Sequence, residues 1–99
     1  MSSGYRLRVS GDLASFVRKL HPQIKRKVRA GLDDILTDPA CGKPLKLELA
    51  GLWSYRIGRF RIIYRIGEQK VIELVTIGPR KNIYEETYRL MAKQLHKEG

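Results

Sequence analysis

Apolar and basic side chains alternate through the middle of this chain, from Trp53 to Ile66. Alternation with a period of two is typical of a β-strand that has one apolar face and one polar face. A turn signal at Gly58-Arg59 divides the stretch and predicts a β-hairpin with a two-residue loop. In that hairpin Arg56 lies directly opposite Arg61, where like charges repel. Since folding gives no reason for such a pair, the pattern favours a polyanion held between the two arginines.

A β-branched stretch from Val71 to Ile77 follows a short loop and predicts the next strand. The short loop pairs Arg61 with Thr76, so that the even-numbered residues of the new strand share the arginine face. Arg80, just past the end of this strand, points the same way if the chain stays extended. We therefore expect Arg56, Arg61 and Arg80 to converge, whereas a register slip of one residue would scatter them.

The N-terminal part of the chain predicts one strand and two helices. Residues from Tyr5 to Ser10 alternate between apolar and basic or polar types, as expected for a strand. Apolar residues at helical spacing follow, with Asp12 as a candidate N-cap of the first helix. Pro22 suits the first turn of the second helix, and Asp38-Pro39 ends that helix.

Further along, residues 40–44 are predicted to form a loop, and residues 45–52 have no clear assignment. The last helix is predicted to run from Tyr84 or Glu85 to His96. The order is therefore β-α-α-β-β-β-α within a single domain, residues 1–99. This pattern indicates an α+β fold, an antiparallel four-stranded sheet with the two N-terminal helices packed on its apolar face and a C-terminal helix.

Charge and cysteine content narrow the range of partners and compartments. The 99 residues include 20 Lys and Arg against 10 Asp and Glu, a net charge of +10. This excess favours nucleic acid, an acidic protein or another polyanion as a partner. Cys41 is the only cysteine, which excludes an internal disulfide and a multi-cysteine zinc site. No apolar run approaches the roughly 20 residues needed to span a bilayer, and residues 1–5 hold no apolar signal core, so we expect a cytoplasmic protein.

Two motifs resemble those of a known family. The stretch from Leu49 to Ile66, with its aromatic, arginine, glycine and tyrosine positions, is similar to the central hairpin of the RelE/ParE superfamily of type II toxin–antitoxin toxins. The stretch from Val75 to Tyr84 resembles the glycine-x-arginine…tyrosine close of the same superfamily. The resemblance covers nearly the whole chain. It implies either a RelE-like ribonuclease that cuts mRNA in the ribosomal A site or a ParE-like poison of DNA gyrase.

The resemblance to the RelE branch also implies catalytic roles. Arg61 matches the arginine that holds the scissile phosphate, and Arg80 matches the one that stabilises charge or protonates the leaving oxygen. Tyr84 matches the tyrosine that orients the substrate near the 2′-hydroxyl. Arg56 falls where some relatives carry a catalytic lysine, and Ser54 replaces a second lysine. The general base therefore has no assigned residue, because tyrosine and arginine ordinarily have pKa values of about 10 and about 12.5 or higher.

Other basic residues are candidates for contacts with ribosomal RNA and mRNA through their charge alone. They are Lys25, Arg29, Lys43, Lys46, Arg59, Arg65 and Lys81. The resemblance further implies a cognate acidic antitoxin as a partner and cleavage without a metal or a cofactor. Asp and Glu are few, and the two histidines show no ligand spacing.

Each of these interpretations has a simpler rival. The arginine face could be solvated or could bind phosphate passively, and Tyr84 could be a helix-start aromatic packed on the core. Taken together, the residues and the resemblance predict a ribosome-dependent, metal-independent endoribonuclease toxin of the RelE type. The alternatives are a ParE-like gyrase inhibitor and a non-enzymatic basic module that binds nucleic acid.

Overall fold

The computed structural model describes residues 4–98, with side chains as far as residue 93. The helices are α1 (Gly11–Arg18), α2 (Pro22–Thr37) and α3 (Ile83–Glu98). The strands are β1 (Arg6–Arg8), β2 (Lys43–Pro44), β3 (Leu52–Ile57), β4 (Phe60–Ile66) and β5 (Val71–Pro79). The predicted order of elements is confirmed, with the addition of the short strand β2 between α2 and the hairpin. Tyr84, Glu85 and the backbone at His96 lie in α3, as predicted, but the His96 side chain lies outside the described part.

The sheet has five strands in the order β1-β5-β4-β3-β2, so the expectation of four strands was wrong. The added strand, β2, has only two residues and includes a proline, which lacks the N–H of a ladder donor and is tolerated at a sheet edge. Such a strand carries no detectable alternation. The expected all-antiparallel sheet was also wrong, because β1 pairs with β5 in parallel.

Helices α1 and α2 pack on one face of the sheet. The core there includes Val28 and Ile35 of α2 and Ile62 and Tyr64 of β4, all essentially inaccessible to solvent. Burial of such side chains contributes roughly 1.5–3 kcal/mol each. Helix α3 packs on the other face, where Ile63 and Ile83 join a second buried cluster. The sheet face that carries α3 is called the α3 face below.

Local capping defines where the N-terminal helices begin. Ser10, rather than the expected Asp12, caps α1, since its Oγ accepts a hydrogen bond from the N–H of Leu13 at 3.1 Å. Asp12 lies in the first turn instead, where its charge complements the helix dipole. The break at His21 and the start of α2 at Pro22 agree with the sequence, as does the end of that helix before Pro39.

The hairpin register is confirmed, but the next register is not. Arg56 pairs directly with Arg61, as a two-residue turn requires. Arg61 pairs with Gly78, however, not with Thr76. At the loop end of the two strands Ile66 pairs with Ile72, and the loop of residues 67–70 holds Gln69 in the left-handed region, at φ 58°. A register shift between Ile63 and Tyr64 then gives β5 one extra residue. Even-numbered residues of β5 therefore lie on the arginine face only in the part of the strand that follows the shift, at Thr76 and Gly78.

Candidate active site

Arg56 and Arg61 lie side by side on the α3 face. They are direct cross-strand partners, which puts their Cβ atoms about 4.5–5.5 Å apart. Arg56 is exposed, whereas Arg61 is partly buried. Arg61 Nε is a buried donor without a hydrogen-bond partner among the described residues. Such a donor costs about 1–3 kcal/mol, more when charged, so an acceptor brought to this position would recover that free energy.

Tyr84 reaches over the same face from the first turn of α3. Its hydroxyl lies 3.3 Å from Ser54 Oγ of β3. Tyr84 is 38% exposed as a whole residue, so it is not the fully packed core aromatic of the simpler interpretation. Ser54 stands two residues from Arg56 on the same strand, and therefore on the same side of the sheet. A solvent-accessible phenol thus lies beside the arginine pair.

A glycine allows α3 to come this close to the sheet. Gly78 is the partner of Arg61, and a Cβ added there would lie 3.0 Å from Ile83 Cδ1. An alanine there would require Ile83, at the start of the helix that carries Tyr84, to move by a few tenths of an ångström. Glu86 is also near, with its Oε2 3.7 Å from the same position.

Arg80 lies at the same end of the sheet as the arginine pair. Its backbone N–H donates to the carbonyl of Arg59 at 2.8 Å, which keeps the chain paired with β4 one residue beyond Pro79. Arg80 is the second residue of a turn in which the N–H of Asn82 donates to the Pro79 carbonyl at 3.2 Å, so its backbone stays next to the hairpin turn. The bend at Pro79 does not carry this arginine away from the hairpin. The Arg80 side chain is exposed.

The remaining basic candidates fall into three groups. Lys43, in β2, pairs directly with Ser54 and so stands on the α3 face. The second group consists of three exposed residues. Arg59 is in the hairpin turn, Lys46 precedes a short 3-10 helix, and Lys81 follows Arg80. The other three are placed as follows: Arg65 is bound to Glu73, and Lys25 and Arg29 lie on α2, across the sheet from the arginine pair.

The contacts of Arg65 differ from those of Arg61, although both are on β4 and on one face. Arg65 Nε donates to Glu73 Oε1 at 2.8 Å, and Arg8 Nη1 donates to Glu73 Oε2 at 3.1 Å. The hydrogen bond from Arg65 is the main reason that the pKa of Glu73 lies below its usual value. Because Arg65 already has a carboxylate partner, it is a weaker candidate for binding phosphate.

The tyrosines with strongly shifted pKa values lie on the opposite side of the sheet from the site. A hydrogen bond from Tyr55 to Asp34, 2.6 Å long, raises the pKa of Tyr55 to about 12. Burial raises the pKa of Tyr64 to about 12. Both rings pack with the α1–α2 core, so these two phenols serve the fold rather than the chemistry.

Two residues of the site were not found from the sequence as participants. Ser54 was noticed only as a departure from relatives, and Gly78 only as the glycine of the glycine-x-arginine…tyrosine motif. Their roles depend on the true registers of β2 and β5, which alternation does not reveal. Among the side chains of residues 4–93 there is no group of three or more His, Cys, Asp or Glu that could hold a metal ion. Within the same described range, every helix is too short or too polar to cross a bilayer.

Comparison with known proteins agrees with the fold and with the family resemblance of the sequence. A family model described as "ParE toxin of type II toxin-antitoxin system, parDE" matches residues 5–84. Toxin RelG of Mycobacterium tuberculosis is 34% identical over 83 residues, which cover 81% of this chain and 95% of that protein. A chain of the RelBE2 toxin–antitoxin complex from the same organism is 32% identical, with a TM-score of 0.67, over 77% of this chain and 91% of that one. A mutant of Escherichia coli toxin RelE in the free state has a TM-score of 0.72 over 95% of this chain and 98% of its own, but at 18% identity this likeness concerns the fold alone.

Proposed function

Because this chain belongs to the RelE/ParE superfamily of type II toxin–antitoxin toxins, we propose that it is the RelE-like kind, an endoribonuclease that cuts mRNA on the ribosome. The observation that carries the proposal is the arginine pair on the α3 face. Arg61 presents a buried, unpaired donor beside Arg56, and the Tyr84 hydroxyl lies on the same face. A planar guanidinium is well suited to bind two oxygens of a phosphate.

The reaction needs only the RNA, these side chains and water to exchange protons. The ribose 2′-oxygen attacks the adjacent phosphorus, forming a new P–O bond while the bond to the 5′-oxygen breaks. The 2′-hydroxyl gives its proton to water and the departing 5′-oxygen takes one from water, so the products are a 2′,3′-cyclic phosphate and a 5′-hydroxyl. Arg61 and Arg56 neutralise the charge that grows on the phosphorane. Tyr84 orients the 2′-oxygen, and Arg80 stabilises the leaving oxygen.

The proposal includes an antitoxin partner with acidic and apolar residues. Two of the solved relatives come from complexes, the toxin–antitoxin complex RelBE2 of M. tuberculosis and the archaeal RelE–RelB complex of Pyrococcus horikoshii. With a net charge of +10, this chain would be attracted to an acidic segment that folds on binding. Such a segment would inhibit the toxin by covering the arginine pair or by displacing α3.

The decisive experiment is induction of the toxin in cells, followed by mapping of the 5′ ends of transcripts. New ends should arise within translated frames, and Arg61→Ala or Arg80→Ala should abolish them. Arg6→Ala is the matched control, because it removes an exposed arginine from β1, at the edge of the sheet that is remote from β3 and β2. Circular dichroism and thermal melting of each variant should show an unchanged fold.

One competing function has a specific observation in its favour, since the matching family model is described by the name ParE. A gyrase poison would act through protein contacts rather than through catalysis. Growth arrest with intact transcripts and broken chromosomal DNA would therefore support that function and reject ours. Purified protein that binds RNA but leaves mRNA intact on ribosomes would instead indicate a non-enzymatic binding module.

A further inference from the structure

Lys43 stands next to the hydroxyls of Ser54 and Tyr84 rather than on a remote surface. It is the direct partner of Ser54 across the β2–β3 ladder, so the two Cβ atoms lie about 4.5–5.5 Å apart on one face of the sheet. Ser54 Oγ is in turn 3.3 Å from the Tyr84 hydroxyl. The four-carbon stem of a lysine is long enough to carry its ammonium past a serine to its neighbours.

The backbone around Lys43 is held in place. The N–H of Gly42 donates to the Tyr64 hydroxyl at 3.2 Å, and that hydroxyl donates to the Pro39 carbonyl at 2.6 Å. A Cβ on Gly42 would lie 2.5 Å from the Tyr64 hydroxyl and 2.9 Å from the Ser54 carbonyl oxygen, so only glycine fits. On the other side, the N–H of Leu45 donates to the Leu52 carbonyl at 2.9 Å. Lys43 therefore projects from a fixed strand.

Among the side chains of residues 4–93, no carboxylate forms an ion pair with Lys43. The ion pairs in that range use Arg8, Arg65 and Arg89 as cations. Ser54 and Arg56 are two positions apart on β3 and both lie on the α3 face. Lys43 and the arginine pair therefore lie on two sides of the contact between the Ser54 and Tyr84 hydroxyls. A phosphodiester has two non-bridging oxygens, and Arg56 and Arg61 can approach the group from one side only.

We propose, on the basis of the function proposed above, that Lys43 is a catalytic residue whose ammonium contacts the scissile phosphate on its Ser54 side. Its role is electrostatic. The ammonium stabilises the second non-bridging oxygen as negative charge grows on the phosphorane, while the arginine pair binds the first. This role goes beyond a general attraction to ribosomal RNA, which would require only that the charge be exposed.

The test separates chemistry from binding on purified ribosomes programmed with a defined mRNA. The cleavage rate at saturating toxin and the toxin concentration that gives half of that rate are measured for each variant. Lys43→Gln should lower the saturated rate by about tenfold or more. This loss is smaller than the usual loss on removal of a preorganised donor, because the Lys43 side chain is exposed. Lys43→Arg should restore most of the rate, since it keeps the charge. Lys19→Gln, which removes the same charge at the end of α1, is the control and should cut like the wild type.

Each other result has a definite meaning. If Lys43→Gln keeps the saturated rate and only raises the half-saturating concentration, Lys43 binds the ribosome and the catalytic role is wrong. If Lys43→Arg is as slow as Lys43→Gln, the charge is not the feature that matters, and the electrostatic role is wrong. If the wild type itself leaves the mRNA intact, the proposed function fails and takes this inference with it. That failure is distinct from a loss confined to Lys43 variants.

Discussion

At the scale of single residues, buried polar atoms differ in whether their hydrogen bonds are made. Arg61 Nε is buried without a partner among the described residues, on the face where Tyr84 is accessible. Tyr64 is the opposite case, because its fully buried hydroxyl both donates to Pro39 and accepts from Gly42. A buried donor without a partner reduces stability, whereas a tyrosine hydroxyl with both bonds made adds to it. The two side chains are three positions apart on β4 and point to opposite faces.

The Tyr64 hydroxyl provides a direct test of this distinction. Tyr64→Phe keeps the ring but leaves the Pro39 carbonyl and the Gly42 N–H without their partner, so the free energy of unfolding should fall by about 1–3 kcal/mol. Urea denaturation measures the change. Tyr88→Phe is the matched control, because Tyr88 is 51% exposed and its hydroxyl has no such role. Equal stability of the two variants would mean that the Tyr64 bonds contribute nothing.

At the scale of elements, ion pairs connect three adjacent strands of the sheet, β1, β5 and β4. Glu73 of β5 accepts from Arg65 of β4 and from Arg8 of β1, and β1 is otherwise only three residues long. The pKa of Glu73 is lowered in the folded protein, mainly by the bond from Arg65. A lowered pKa means that the stabilisation is complete above the unfolded-state pKa of about 4.3 and is lost as the pH falls through the folded-state value.

We therefore expect Glu73→Gln to be less stable than the wild type at neutral pH, with a deficit that shrinks as the solution is acidified below about pH 4. Thermal melting across that pH range measures the deficit. Glu85→Gln is the control, since Glu85 and Arg89 form an ion pair on the surface of α3, with side chains 71% and 72% exposed. Exposed pairs of this kind contribute little, so this variant should follow the wild type at every pH. A Glu73→Gln deficit that is independent of pH would contradict the assignment.

The elements also show why some of the structure could be predicted from the sequence and some could not. The Arg56–Arg61 pairing follows from a two-residue turn, which fixes the register by its length. The β4–β5 register could not be predicted, because Gln69 and Lys70 adopt positive φ without being glycine and β5 carries an extra residue. Alternation is also silent on strand direction and on a two-residue strand, so the parallel β1 and the edge strand β2 were missed.

The same limits apply to the candidate site. Arg61, Arg80 and Tyr84 were predicted from motifs, and the structure brings their backbones to one end of the sheet. Lys43 was predicted only as one basic residue among several. Its position beside Ser54 depends on β2, which no pattern in the sequence indicates. The residues predicted from motifs lie in the central hairpin and between Gly78 and Tyr84. The position of Lys43 beside Ser54 is known only from the structure of the edge strand β2.

At the scale of the whole molecule, the positive charge is distributed over both sides of the sheet. The arginine pair and Lys43 occupy the α3 face, whereas Lys25 and Arg29 lie on α2, which packs against the opposite face. A single phosphodiester cannot contact both sides. If the substrate is held in a ribosomal cavity, however, the α2 side can contact ribosomal RNA while the α3 face carries out the chemistry. The two surfaces should then affect different kinetic quantities.

This division predicts the behaviour of the double variant Lys25→Gln/Arg29→Gln on programmed ribosomes. The half-saturating toxin concentration should rise, and the dependence of log affinity on log salt should become shallower by about one for each phosphate contact that is lost. The saturated cleavage rate should stay that of the wild type, because neither residue reaches the scissile phosphate. The double variant Arg6→Gln/Lys19→Gln removes the same charge from β1 and from the end of α1, and it controls for net charge. If both double variants weaken binding equally, the attraction depends on total charge alone, and α2 makes no specific contact with ribosomal RNA.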